Sequence, residues 1–139
     1  MKRIILEYQQ VDLILTRICH QLVEDHGDFT HTAILALQPK GILLGKAIVR
    51  KLETLFGIHA TYGELDTTFH RDDFRRSDKL LIPNEVNIDF EIENKRIILV
   101  DDVLYTGRSI RAALDAVNDY GRPASIELVT LINRKYKRE

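Results

Sequence analysis

The chain has one cysteine, one methionine, three prolines and no tryptophan. A single thiol, Cys19, excludes an internal disulfide and any cysteine-built metal cluster, and this usage suits a reducing compartment, so the cytoplasm is the expected location. Neither sign of charge dominates. Twenty Lys and Arg against 21 Asp and Glu leave −1, so no global basic field announces a nucleic acid or a membrane surface, and only a local basic face is left open. No apolar run approaches the length of a membrane span, and Met1-Lys2-Arg3-Ile4-Ile5-Leu6-Glu7-Tyr8 turns polar too early for a secretory leader. Internal repeats and low-complexity stretches are absent as well. What is present is ordinary for a globular protein: 139 residues, 45% of them hydrophobic, which predict one domain over 1–139 with a modest core.

Hydrophobic spacing divides this domain into elements. Val11, Ile14, Leu15, Ile18, Cys19 and Leu22 share one stripe of a helix running from Gln10 to about His26, with Gly27 as its stop. Thr32 to Leu37 is a compact apolar run that reads as a buried strand, ended by Gln38-Pro39-Lys40-Gly41. Ile42, Leu44, Ala47, Ile48, Leu52, Leu55 and Phe56 mark a second amphipathic helix closing near Gly57, and His59 to Asp66 reads as a second strand. Arg96 to Val100 is a central strand, Ser109, Ile110, Ala113, Leu114 and Val117 lie on a third helix ending near Gly121, and Ile126 to Ile132 forms a last strand. The series predicts an α/β fold, a parallel sheet flanked by helices, with ligands beyond the carboxyl ends of the strands. Between the second and third strands, residues 68–89 are too polar for core and too long for an ordinary connection, which predicts a mobile loop or hairpin.

The sharpest chemical signal is Ile97-Ile98-Leu99-Val100-Asp101-Asp102-Val103-Leu104-Tyr105-Thr106-Gly107-Arg108-Ser109: an apolar strand, two carboxylates, and a turn opening a helix. Thr106, Gly107, Arg108 and Ser109 can offer backbone N–H groups, two hydroxyls and a helix terminus to a phosphate. Carboxylates repel a phosphate but accept hydrogen bonds from sugar hydroxyls, so a phosphorylated sugar accounts for both signs of charge. The competing structural reading has Asp101 and Asp102 capping the next turn, with Gly107 merely permitting tight geometry. The Walker phosphate loop and the dinucleotide fingerprint are both excluded by the glycine spacing. His20, His26, His31, His59 and His70 are scattered without ligand spacing, so no protein metal cage is expected, and Cys19 falls on the apolar helix face as a core residue.

Val100 to Ser109 resembles the phosphoribosyl diphosphate signature of type I phosphoribosyltransferases. More closely, the chain resembles the bifunctional pyrimidine operon regulator/uracil phosphoribosyltransferase (PyrR) family, through Gly63-Glu64-Leu65-Asp66-Thr67-Thr68-Phe69-His70-Arg71-Asp72-Asp73 and Asp119-Tyr120-Gly121-Arg122-Pro123-Ala124-Ser125-Ile126-Glu127-Leu128. The resemblance implies a type I phosphoribosyltransferase fold and the synthesis of UMP from uracil and 5-phosphoribosyl 1-diphosphate. It implies that Asp101, Asp102 and Arg71 are the catalytic residues, the two aspartates contacting the ribose hydroxyls and Arg71 helping to bind diphosphate, that Val103, Leu104 and Tyr105 bind substrate together with Thr106, Gly107, Arg108 and Ser109, which cradle the 5-phosphate, and that Lys40 and Gly41 form the diphosphate loop. Mg2+ held mainly through the donor, UMP, UTP or guanosine nucleotides as effectors, pyrimidine-operon mRNA as a regulatory partner, and a homodimer or larger assembly are further implications.

The match departs from the family at the carboxyl end. Family members continue into a hood that recognises uracil, and its Asp-Arg-Gly-His-like beginning stands here as Asn133-Arg134-Lys135-Tyr136, so a truncated hood is expected. A purine phosphoribosyltransferase, or a nucleotide- and RNA-binding regulator with little catalysis, are the alternatives. Arg134, Lys135, Lys137 and Arg138 form a terminal basic cluster, and no residue stands out as the general base.

Overall fold

Thr32-Ala33-Ile34-Leu35-Ala36-Leu37 carries no charged side chain, so a strand built from it must be covered on both faces. The computed structural model describes residues 8–66, 88, 90–104 and 108–133. Its elements run α1 (Tyr8–His26), β1 (Thr32–Leu37), α2 (Ile42–Phe56), β2 (Thr61–Leu65), β3 (Arg96–Leu104), α3 (Arg108–Asn118) and β4 (Ser125–Asn133). The four strands form one parallel sheet in the order β2-β1-β3-β4. All six β1 residues are buried.

Strand alternation sorts the core into two layers. Ile34, Ile98 and Val100 face α1 and α2, packing on Leu15, Cys19, Leu22, Leu44, Ile48 and Leu52. Ala33, Leu35, Leu37, Ile97 and Leu99 face the other way, toward Ala113, Ala116 and Val117 of α3. The crossover through α2 leads from β1 outward to β2, and the one through α3 leads from β3 outward to β4. Right-handed crossovers that travel in opposite directions must lie on opposite faces, which is where α2 and α3 are found. The divergence between β1 and β3 leaves a crevice at their carboxyl ends.

Elements expected from the spacing are all present, several with ends shifted by one to three residues, and one boundary differs by more. β3 does not end at Val100 but continues to Leu104, so Asp101 and Asp102 lie within the strand. Its pairing with β1 stops at Ala36↔Val100, whereas its pairing with β4 continues through Asp101↔Thr130 to Leu104↔Asn133. The charge of the two aspartates is tolerated because β3 has already lost its β1 neighbour there. Of the expected loop 68–89, residues 68–87 and 89 lie outside the described residues, and Ile88 packs against the α3 side of the core. No helix among the described residues is long and apolar enough to cross a membrane.

At the opposite end of the sheet a buried His26 closes the α1 layer. Its side chain is 1% exposed. One ring nitrogen, Nε2, lies 2.9 Å from Oε1 of Glu127 on β4, and Nδ1 lies 3.1 Å from the Thr32 hydroxyl on β1. The ring therefore ties the end of α1 to strands on either side of β3, with both nitrogens satisfied. Cys19 is buried in the same layer, its thiol directed at the Ile48 carbonyl at 3.8 Å and pushed up to about 11 by burial, which leaves it a packing residue. Replacing His26 by Ala removes a buried ring and strands the Thr32 hydroxyl, so urea or thermal unfolding is expected to show a loss of about 2–4 kcal/mol.

Candidate active site

The crevice is built where β1 turns into α2 and β3 turns toward α3. In a parallel sheet each following helix begins at the carboxyl end of its strand, so α2 and α3 both start here with first-turn N–H groups that have no partner within the helix. Each helix N-terminus carries the positive end of its dipole. Two such ends beside one pair of carboxylates favour a ligand that is anionic at its extremities and rich in hydroxyls between them.

Gly41 explains how close the first of these turns comes to β3. It is the N-cap of α2 and buried, and its amide donates to the Leu37 carbonyl at 2.7 Å. A Cβ built on it would stand 2.2 Å from the carbonyl oxygen of Val100. No other residue permits backbone to approach backbone at that distance. The turn is also tied sideways, because the Gln38 amide donates to the Leu65 carbonyl of β2 at 2.9 Å. The Gln38-Pro39 peptide is cis.

Opposite this turn, Asp101 and Asp102 are half-buried in β3. The Asp102 amide donates to Oδ1 of Asp101 at 2.8 Å. Burial raises the Asp101 carboxyl above its ordinary range; the Asp102 amide pulls it down, the Asp102 charge pushes it up, and the Lys40 charge pulls it down without cancelling the rise. Lys40 is exposed on the turn and close enough for its charge to act on Asp101. Tertiary structure thus brings Lys40 and Gly41 to the same crevice as Asp101 and Asp102, across some sixty residues of sequence.

The remaining candidates divide in two. Val103 and Leu104 continue β3 in register with Ile132 and Asn133, and Arg108 and Ser109 open α3, so the backbone leads from the carboxylates toward a helix start as the motif suggested. Tyr105, Thr106 and Gly107, and Arg71 in the long connection, lie outside the described residues. Reading the sequence left out the end of β2, where Tyr62, Glu64 and Asp66 follow one another at strand spacing beside the 38–41 turn. The motif Gly63-Glu64-Leu65-Asp66 was the available signal, but nothing in it says that β2 lies next to β1. Among the described residues no group of three or more His, Cys, Asp or Glu could hold a metal ion by itself. The Asp101/Asp102 pair with the starts of α2 and α3 nearby does fit Mg2+ carried in on a polyphosphate, since that ion keeps most of its waters and takes one or two carboxylates plus phosphate oxygens.

Comparison with known proteins agrees with this geometry. Residues 3–139 match the phosphoribosyl transferase domain family. The chain is 42% identical over 133 residues to the Bifunctional protein PyrR of Picosynechococcus sp., covering 96% of this chain and 75% of that protein. It is 37% identical over 139 residues to the Bifunctional protein PyrR of Bacillus subtilis, covering 98% and 76%. Among solved structures, a hypoxanthine phosphoribosyltransferase from Staphylococcus aureus superposes with a TM-score of 0.72 at 18% identity, over 100% of this chain and 72% of that one. The hypoxanthine-guanine enzyme of Leishmania tarentolae in complex with GMP gives 0.72 at 17% identity, over 99% and 74%. These two likenesses concern the fold.

Two outcomes follow from the crevice. Because the native state holds the Asp101 proton more tightly than the unfolded chain, stability falls as pH rises from the unfolded carboxylate value of about 3.9 through the raised native one. Asp101→Asn, which keeps the acceptor for the Asp102 amide, should therefore melt above the parent protein at pH 7, with the difference closing as pH falls toward about 4 in a series of thermal scans. Gly41→Ala forces the turn away from Val100 and should cost about 1–3 kcal/mol in chemical denaturation.

Proposed function

Because the chain belongs to the PyrR family, within the phosphoribosyl transferase domain family, we propose that it transfers the 5-phosphoribosyl group of 5-phosphoribosyl 1-diphosphate to uracil, yielding UMP and diphosphate. The observation that carries this reading is the convergence of two helix N-termini and the Asp101/Asp102 pair on the crevice between β1 and β3. A phosphoribosyl diphosphate has anionic groups at both ends and two hydroxyls in between.

In this reading the backbone N–H groups at Lys40 and the start of α2 bind the diphosphate, with Gly41 supplying the close turn that presents them, joined by the Lys40 ammonium and by Arg71. Thr106, Gly107, Arg108 and Ser109 cradle the 5-phosphate at the start of α3, reached through Val103, Leu104 and Tyr105. Asp101 and Asp102 accept hydrogen bonds from the ribose hydroxyls. The bond from the anomeric carbon to the diphosphate oxygen breaks, a bond to a uracil nitrogen forms, and the nitrogen loses its proton. Positive charge grows on the sugar and negative charge on the leaving group, so the carboxylates and the helix ends are placed to stabilise the two developing charges separately. Asp101 and Asp102 would hold the Mg2+ that travels with the donor through water and ribose oxygens, and that ion supplies charge neutralisation of the diphosphate. Catalysis on this plan is positioning and electrostatics, and no described side chain is assigned as general base.

A second role is supported by the word bifunctional in the relatives' name together with the resemblance, which implies control of a pyrimidine operon through its mRNA. RNA binding is then a separate activity of the same fold, responsive to the nucleotides that occupy the crevice and assembled on a homodimer or larger oligomer. The two purine enzymes described above share the fold at 18% and 17% identity, whereas the PyrR relatives reach 42%, so uracil is the favoured base.

Incubation with Mg2+, 5-phosphoribosyl 1-diphosphate and single bases, followed by mass-resolved chromatography, should show UMP formed with uracil and no monophosphate with hypoxanthine or guanine. Asp101→Asn combined with Asp102→Asn should lower that rate by about a hundredfold or more. Removing Mg2+ with EDTA should abolish turnover and re-addition restore it. IMP or GMP in place of UMP would shift the assignment to a purine enzyme.

A further inference from the structure

The first turn of α2 lies nearer the sheet than a side chain would allow. A Cβ on Gly45 would fall 2.9 Å from the Ala36 Cβ and 3.2 Å from Cε1 of Tyr62. The Gly45 amide donates to the Gly41 carbonyl at 2.8 Å. The residue resting on the Tyr62 ring is therefore one hydrogen bond away from the N-cap to which the donor's diphosphate is assigned.

Tyr62 is itself held in place. Its phenol donates to Oε2 of Glu64 at 2.9 Å, two residues along the same face of β2. The Glu64 side chain is 13% exposed, and Nζ of Lys46, next to Gly45 on α2, stands 4.0 Å from the same oxygen. Burial, then the Glu64 hydrogen bond and charge, raise the phenol above its ordinary value, so it remains a donor. Tyr62 packs in the layer shared with α2, whereas Leu65 packs in the α3 layer. A ring fixed by a mostly buried carboxylate thus forms the floor under the α2 start, while the Val100 carbonyl forms the wall against Gly41.

We propose that Tyr62, anchored by Glu64, is a positioning residue for the phosphoribosyl donor, holding the α2 turn at the height from which its N–H groups reach the diphosphate. This rests on the reaction proposed above. Tyr62 acts through Gly45 and the helix backbone and is assigned no contact with the donor.

Ligands that differ in their diphosphate separate such a role from general loosening. Calorimetric titration of the full chain, with Mg2+ present, would use 5-phosphoribosyl 1-diphosphate, inorganic diphosphate and ribose 5-phosphate. Tyr62→Leu should weaken the two diphosphate-bearing ligands about tenfold or more while ribose 5-phosphate stays within about twofold. Tyr62→Phe keeps the ring and loses the anchor, so it should fall between, and it carries the test if the leucine variant does not fold. Glu64→Gln retains an acceptor beside the phenol and should restore most of the affinity that Glu64→Ala loses. Equal weakening of all three ligands, or unchanged diphosphate affinity in both Tyr62 variants, would overturn the proposal. Failure of the unsubstituted chain to bind any phosphoribosyl donor overturns the proposed function and this inference with it, and is read before any variant is made.

Discussion

The parallel pairing of β1 with β3 is the constraint on which the rest depends. Ala33 to Leu37 and Ile97 to Val100 are apolar on both faces, so once the strands pair, from Thr32↔Arg96 to Ala36↔Val100, helices must cover the sheet above and below. Covering two faces by right-handed crossovers sends the chain outward from this pair in both directions. The crevice at the carboxyl ends of β1 and β3 is the consequence, and two helix starts meet there because each crossover begins at the end of one of these strands.

Function exploits what the pairing leaves unfinished. β3 runs on past its last β1 partner, stabilised by β4 alone, and places Asp101 and Asp102 at the open side. Half-burial of Asp101 disfavours its ionisation, a cost carried by the fold at the position where the proposed function has use for a carboxylate. Across the crevice the backbone of Gly41 is packed tightly on the Val100 carbonyl, so the 38–41 turn and the carboxylate strand are in direct contact. In the proposed function, the distance between the groups assigned to the diphosphate and those assigned to the ribose is then set by backbone contact.

Much of this was legible in the chain. The periodicity of Val11 to Leu22 and of Ile42 to Phe56 identified two helices, and the run Thr32 to Leu37 identified a buried strand, because burial on one face or two leaves a direct trace in residue spacing. The end of β3 was misplaced at Val100 because two adjacent aspartates look like a strand end, and the ladder that extends it is supplied by β4, a neighbour distant in sequence. The acidic pair and the turn after it were singled out as candidate site residues from local order alone. Tyr62 and Glu64 were not, since a tyrosine and a glutamate two residues apart on a strand are common, and their meaning comes from the missing side chain at Gly45.

By itself, then, the amino-acid order determined the elements, the α/β class and the chemical character of the site, since these depend on hydrophobic period and on residues adjacent along the chain. Which strands neighbour one another, how far β3 outlasts β1, and the meeting of Lys40 and Gly41 with Asp101 and Asp102 were decided only in three dimensions. Those features arise from backbone pairing and close packing between segments remote in sequence, and pairing partners leave no local pattern to read.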